Sequence, residues 1–309
     1  MKILITGSKG LIGSSLARSL ANIGIEVLGL DLKYDQEDPN FGDILDGDDV
    51  FSKVSQVDGI VHLAAVSRVI DGEKKPQLCW KTNVEGTENI VQASAQSEKE
   101  PWIIYASSRE VYGEQKELPV KESTPLKPVN IYGESKFAAE KKIEEAQQRG
   151  LVATIVRFSN VYGSIHDHPD RVIPAFCRAS ALGTTIRVDG RENSFDFTYL
   201  DDVVQGLISL ILLISARKTS FYPIHFTRGI GVTLEQVAAI AQRASEFPIS
   251  IVEGPSRSFD VSCFYGDPSR AKELLGWDAC VSIEEGMIRL IHQFRLHFLS
   301  ELQGAHVVL

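Results

Sequence analysis

Three glycines near the N-terminus constrain this chain more than any other feature. Gly7, Gly10 and Gly13 are spaced G-x-x-G-x-x-G. They lie directly between an apolar β-branched run, KILIT, and the segment LIGSSLARSLANIG, whose Leu11, Leu16, Leu20 and Ile23 recur at helical spacing. In such a strand–turn–helix the first glycine permits the tight turn, the second lets backbone approach a pyrophosphate, and the third lets the helix pack on the strand. The phosphate then meets free N–H groups at the helix N-terminus. Alone, a glycine triplet is also a common structural turn. Here a second apolar run, 25–30, ends on Asp31, about 20 positions on, where an acidic residue holds ribose hydroxyls. A carboxylate there repels a 2′-phosphate, so the expected cofactor is NAD rather than NADP. Lys33 bears slightly against that choice and is read as a solvated surface lysine. Asp43, in GDILD, reads equally as a turn residue or as a cofactor contact.

Beyond the turn, short apolar runs alternate with helical patterns. Strands are expected at GIVHLAA (59–65), WIIYASS (102–108) and LVATIVRFSNVYG (151–163), with helices near 82–95 and 132–148. Continuous apolar strands separated by helices are the pattern of a parallel sheet covered on both faces, and right-handed crossovers make it doubly wound. The fold class expected is therefore α/β: a Rossmann-type doubly wound parallel sheet with a smaller mixed α/β substrate-binding part. The first domain is read as 1–165, with a later segment about 195–217 returning to it, and the second part mainly as 166–309. No internal repeat or flexible linker divides them, so a cleft between the two is expected.

Composition narrows the class. Of 309 residues, 32 are Lys or Arg and 41 are Asp or Glu, a formal charge of −9, which argues against a dedicated nucleic-acid binder. Cys79, Cys177, Cys263 and Cys280 lie far apart without C-x-x-C spacing, fitting reduced thiols rather than a metal site or disulfide framework. The N-terminal run is broken by glycines and lacks a signal-peptide cleavage pattern. The longest apolar run, 207–214, is too short to span a bilayer and reads as a core helix. A cytoplasmic protein, with no membrane association, is expected.

Chemistry concentrates in the middle of the chain. Tyr132 and Lys136, in YGESK, stand four apart on one helical face. A free phenol, with a pKa of about 10, is a poor base at neutral pH; an ammonium one turn away and a bound nicotinamide cation would lower that value. Upstream, Ser107 and Ser108 close a strand, where a hydroxyl can bond both the phenol and a substrate oxygen. Each element is common singly, whereas the ordered set of glycine turn, strand-end serine and Y-x-x-x-K is far rarer.

With that set in view, the chain resembles the extended short-chain dehydrogenase/reductase superfamily, in its NAD-dependent sugar-nucleotide epimerase/dehydratase family (UDP-glucose 4-epimerase-like). TGSKGLIGSSL, DLK, GDILD, VHLAA, NVEGT, YASSREVYG, YGESK, RFSNVYG, DFTYLDD and SRAKELLGW match in order over nearly the whole chain. The resemblance implies that Ser108, Tyr132 and Lys136 are catalytic, with Glu110 a further candidate. It implies NAD contacts along Gly7, Gly10, Leu11, Ile12, Gly13, Asp31, Leu32, Asp43, Ile44, Leu63, Ala64, Ala65, Asn83, Ala106, Ser107, Tyr132 and Lys136. Substrate contacts are implied at Ser67, Ser108, Asn160, Arg187 and Arg257. The implied reaction is 4-epimerisation of a UDP-hexose: Tyr132 takes a proton from a sugar hydroxyl, hydride passes to NAD, and it returns to the other face of a transient 4-keto sugar. A homodimer formed through two helices per subunit, near 82–95 and 132–148, is also implied.

Several residues depart from the pattern. Family 4,6-dehydratases carry an Asp-Glu pair after the serine, whereas this chain has Arg109-Glu110. A guanidinium cannot release a proton at working pH, so Arg109 cannot serve as the acid, and dehydration is put in doubt. Glu110 reads as a base for 5-epimerisation, as an aid to decarboxylation, or as a partner holding Arg109. Arg109 itself reads as solvent-facing or as a contact to a charged sugar. A catalytically dead NAD-binding regulator is the reading from another class, disfavoured by the intact Ser108, Tyr132 and Lys136. The family usually has an arginine where this chain has Phe195; Arg187 or Arg191 are the candidates to compensate. Arg257 and Asp260 match a late pair whose arginine holds a diphosphate oxygen. His166 and His168 read as a polar lid, and no metal is expected.

Overall fold

The computed structural model describes residues 1–255 and 261–305. Six parallel strands form the main sheet in the order β2 (Glu26–Leu30), β1 (Lys2–Thr6), β3 (Gly59–His62), β4 (Trp102–Ser108), β5 (Ala153–Phe158) and β9 (Phe221–Phe226). Their continuous apolar character follows from burial on both faces, since alternate residues point to opposite layers. On one face Ile3, Ile5, Val61 and Ile104 pack under Leu16 and Leu20 of α1 (Leu11–Asn22) and Leu207, Leu210 and Ile214 of α8 (Leu200–Arg217). On the other, Leu4, Ile60, Ile103 and Ile155 pack under α2 (Gly47–Val54), α5 (Gly86–Gln96) and α6 (Ile131–Gln148). The short helices α3 (Val69–Lys74) and α4 (Pro76–Trp80) lead from β3 into a π-helical turn, Lys81–Glu85, that precedes α5. This is the Rossmann-type layer that the alternation predicted.

The second part has its own core, in which Phe176, Phe197, Tyr199, Val237, Leu290 and Ile291 meet. Its strands are β6 (Asn160–Tyr162), β7 (Ile186–Asp189), β8 (Ser194–Tyr199), β10 (Gly231–Thr233), β11 (Ile251–Gly254) and β12 (Cys263–Phe264). β8 is central: β10 pairs along it antiparallel, β6 and β12 parallel, while β7 pairs with β11 alone. Helices α7 (Val172–Leu182), α9 (Leu234–Arg243) and α11 (Ile283–Ala305) cover them, and α10 (Ser269–Leu275) leads to Trp277, whose ring lies 4.9 Å from that of Phe226. The 207–214 run is core helix, and among the described residues no helix is long and apolar enough to cross a membrane.

Element boundaries shift for identifiable reasons. The run 151–163 is two strands, because at Ser159 the chain leaves β4 and the Ser159 hydroxyl donates to Asp196 O (2.7 Å), starting β6 against β8. β3 stops at His62, because the N–H groups of Leu63 and Ala64 turn to Thr6 Oγ1, each at 3.1 Å. The strand that lengthens the main sheet after residue 165 is β9, reached through α8.

Two buried networks hold these elements. Thr6 Oγ1 already accepts two N–H groups, so its hydroxyl donates to His62 Nδ1 (2.7 Å); His62 Nε2–H then donates to Thr87 Oγ1 (3.0 Å), which donates to Asn83 O (2.6 Å). In the second, Arg157 grips Glu140 through Nε (2.9 Å) and Nη2 (2.6 Å), while Nη1 donates to the Tyr112 hydroxyl (2.7 Å). That hydroxyl in turn donates to His225 Nε2 at 2.6 Å. Both networks therefore require neutral histidines, and burial brings His62 and His225 each down from 6.5 to about 3.

The Arg157–Glu140 pair is almost wholly out of solvent, so removing one partner strands a buried charge. Glu140→Ala is expected to lower stability by about 3–5 kcal/mol, read as a fall in the urea midpoint; an unchanged midpoint would contradict the pairing. The histidines set a pH dependence. Below about pH 6.5 the unfolded chain takes up protons that folded His62 and His225 do not, so their contribution, present above that pH, is lost as pH falls toward about 3. The loss is at most about 1.4 kcal/mol per pH unit for each. His225→Gln should make the acid decline in urea midpoint shallower, and an identical slope would count against a buried neutral His225.

Candidate active site

The glycine turn stands at the C-terminal ends of β1 and β3, where the direction of winding reverses, the place open α/β sheets hold ligands. Gly7 has φ +70°, and its N–H donates to Leu30 O at 2.8 Å. A Cβ there would stand 2.8 Å from Ala64 N, and one on Gly13 only 2.2 Å from Gly7 O, so neither position admits a side chain. Gly10 caps α1 without a side chain, leaving the N–H groups of Leu11, Ile12 and Gly13 without helical acceptors and ready for a phosphate. Asp31 is anchored at the rim: Oδ2 accepts the N–H of Lys9 and Oδ1 that of Lys33, both at 2.9 Å. Each oxygen keeps lone-pair capacity for a ribose hydroxyl. This cradle and its acidic rim fit NAD.

The remaining cofactor candidates surround it in different ways. Leu63, Ala64 and Ala65 form the half-buried loop after β3, and Leu32 is exposed beside Asp31. Asp43 Oδ1 accepts Leu45 N–H at 3.0 Å, a turn role, and Ile44 is buried. Asn83, in the π-helical turn, has both ends of its amide engaged: Oδ1 accepts Val66 N–H (2.8 Å), and Nδ2 donates to Val66 O (3.1 Å) and Ser135 Oγ (2.9 Å). It thereby pins the 63–67 loop to α6. Ser107 Oγ is buried with no hydrogen-bond partner among the described residues.

The catalytic candidates converge at the N-terminus of α6. Asn130 caps that helix, its Oδ1 accepting Gly133 N–H at 2.8 Å, while its Nδ2 donates to Glu110 Oε2 at 2.9 Å. A Cβ on Gly133 would lie 2.6 Å from Glu110 O, so glycine lets α6 approach the turn after β4. Tyr132 is thus delivered to the side of α6 that faces Ser108. Burial pushes the Tyr132 phenol up to about 12; the nearby Ser108 hydroxyl and the positive charge of Arg171 act the other way, and Glu110 adds to the rise. Lys136 is buried, with Nζ donating to Ala106 O at 2.8 Å, and burial brings it down to about 8. The Lys136 ammonium is thus turned to a carbonyl and is itself short of solvent.

Arg109 and Glu110, in the 3₁₀ turn Arg109–Val111, are both buried. Arg109 Nη2 meets Glu110 Oε1 at 2.8 Å, and the guanidinium lies over the Phe195 ring (4.7 Å) and the Phe264 ring (5.7 Å). The cation beside Phe195 is thus Arg109. Arg187 and Arg191 are exposed and paired to their own acids, Arg187 with Asp189 and Arg191 with Glu235 and Glu253, so neither stands in for a guanidinium at 195. The solvent-facing reading of Arg109 is excluded by its burial. Asn160 opens β6, half-buried, opposite Phe197. Arg257 and Asp260 lie outside the described residues. Ser67 is exposed, and its carbonyl accepts Arg171 Nη2 at 3.3 Å, while Arg68 pairs with Asp170. The 164–171 segment therefore docks on the loop after β3, with His166 and His168 exposed. Among the described residues no three His, Cys, Asp or Glu side chains gather as metal ligands.

Sequence reasoning missed Asn130, Thr6, Thr87 and the Phe195–Phe264 pair around Arg109. Asn130 carried a signal, an asparagine just before a helical run. The others act across the sheet and have no local pattern.

Comparison with known proteins agrees with this geometry. Residues 3–220 match the model of the NAD dependent epimerase/dehydratase family. A UDP-glucose 4-epimerase of Streptomyces lividans is 30% identical over 300 residues, covering 90% of this chain and 91% of that protein. UDP-glucuronic acid decarboxylase 1 of Arabidopsis thaliana is 27% identical, covering 98% of this chain and 72% of that protein. The crystal structure of UDP-glucose 4-epimerase from Thermotoga maritima with UDP-glucose superposes with a TM-score of 0.88 at 27% identity, covering 96% of this chain and all of that one. The chain belongs to the NAD-dependent epimerase/dehydratase family.

Proposed function

We propose that this protein is a nucleotide-sugar 4-epimerase acting on a UDP-hexose. The observation that carries the reading is the junction that Asn130 makes between Tyr132 in the first turn of α6 and the turn after Ser108, next to an Arg109 that cannot act as an acid. Bound in the Gly7–Gly13 cradle and against Asp31, NAD would accept and return a hydride. Ser108 orients the sugar hydroxyl, and Tyr132 takes its proton and later gives it back. Lys136 holds the backbone at Ala106 and supplies positive charge behind the phenol. The pairing of Glu110 with Arg109 and Asn130 supports epimerisation over dehydration or decarboxylation. Ser67 and Asn160 are proposed to face the nucleotide sugar; a diphosphate contact for Arg257 is what the resemblance implies, and Arg187, offered to compensate for the arginine absent at 195, is paired with Asp189 instead. We also propose a cytoplasmic homodimer, a state that light scattering on the purified protein would test.

The purified enzyme would be incubated with UDP-, dTDP- and GDP-hexoses and the products identified by NMR. Inversion at C4 of a UDP-hexose is expected, and loss of water or carbon dioxide instead would overturn the reading. Tyr132→Phe should lower turnover by about 10²–10⁴-fold with NAD still bound by fluorescence titration; retained turnover would exclude Tyr132 as the base.

A further inference from the structure

Any sugar oxidised at the Ser108–Tyr132 pair becomes a ketone, and a ketone acidifies the C–H bonds on both flanking carbons because the resulting carbanion delocalises onto the carbonyl oxygen. A carboxylate within reach, with an oxygen to spare, is the group that takes such a proton. Glu110 stands there: it lies two residues past Ser108, its N–H donates to Ser108 Oγ at 3.3 Å, and its side chain is buried. Each of its oxygens is nonetheless held by a partner, Oε1 by Arg109 Nη2 (2.8 Å) and Oε2 by Asn130 Nδ2 (2.9 Å), which fixes the direction in which the carboxylate and its remaining lone pairs face.

We propose that Arg109 is a reaction-specificity residue, whose ion pair withholds Glu110 from the carbons flanking the keto carbon and so confines the chemistry to C4. This rests on the 4-epimerase reading above. Two features make the clamp firm. The guanidinium is stacked by Phe195 and Phe264 from a different sheet, and its Nη1 has no competing acceptor among the described residues. Were Glu110 released, its carboxylate would accept the proton, the C–H electron pair would become the new C–C π bond, and the carbonyl π pair would move onto oxygen. Return of a deuteron from a carboxyl exchanged with heavy water would then leave a C–D bond. Arg109 acts through Glu110 and is a positioning residue.

The test uses the NAD-loaded enzyme with UDP-glucose and UDP-galactose in heavy water, with deuterium located by NMR. In the wild type, C4 inversion is expected with deuterium at C3 and C5 no higher than in enzyme-free controls. Arg109→Gln, which removes the charge, should raise deuterium at one of those carbons by about tenfold or more, and adding Glu110→Gln should abolish the rise. Arg109→Met serves if the first variant does not fold. A foldable variant without added exchange, whether or not it still inverts C4, overturns the proposal, as does exchange that survives Glu110→Gln. A wild type that inverts no UDP-hexose at C4 overturns the reaction itself, and this inference with it, before any variant is made.

Discussion

Asn130 is the side chain on which the site depends. One end of its amide satisfies an otherwise orphaned N–H in the first turn of α6, and the other reaches back to Glu110 behind β4. Helix cap and site geometry are thus the same hydrogen bonds. Because Tyr132 is two residues further on, any slip of the cap would move the phenol relative to Ser108. Gly133 sharpens the constraint, since the helix approaches the Glu110 carbonyl more closely than a Cβ would allow.

What could be read from the chain and what could not divide along sequence distance. The glycine turn, Asp31, the strand-end serine and Y-x-x-x-K are local patterns whose physics operates within a few residues, and they carried the fold class, the family and the cofactor. The 151–163 run misled because apolar continuity does not say which strand it will pair with; a single Ser159 hydroxyl marks the change of sheet. Arg109 is the clearest case of what stays hidden. From the sequence, its partners could be solvent or substrate, because Phe195 and Phe264 come from strands far along the chain. Arg187 and Arg191 looked equally able to replace the missing arginine until their acidic neighbours were placed beside them.

The charges illustrate the same division energetically. The formal −9 is spread mostly over exposed acids, where screening makes individual pairs weak. The ones that organise the molecule are few and buried: Arg157 with Glu140 between α6 and the sheet, Arg109 with Glu110 at the site, and Lys136 on a carbonyl. Each is costly to bury alone and acceptable only with its partner in place. Polar groups therefore specify which elements meet, while the apolar layers supply the bulk of the driving force.

The stacking of Arg109 on Phe195 also bears on how this chain can change. Positions 109 and 195 meet at one cation, although they lie 86 positions apart in the chain. An arginine at 195 would bring a second positive charge to the place where the Arg109 guanidinium now rests on an uncharged ring. The two positions are therefore one packing unit, and a change of size or charge at either is felt directly at the other.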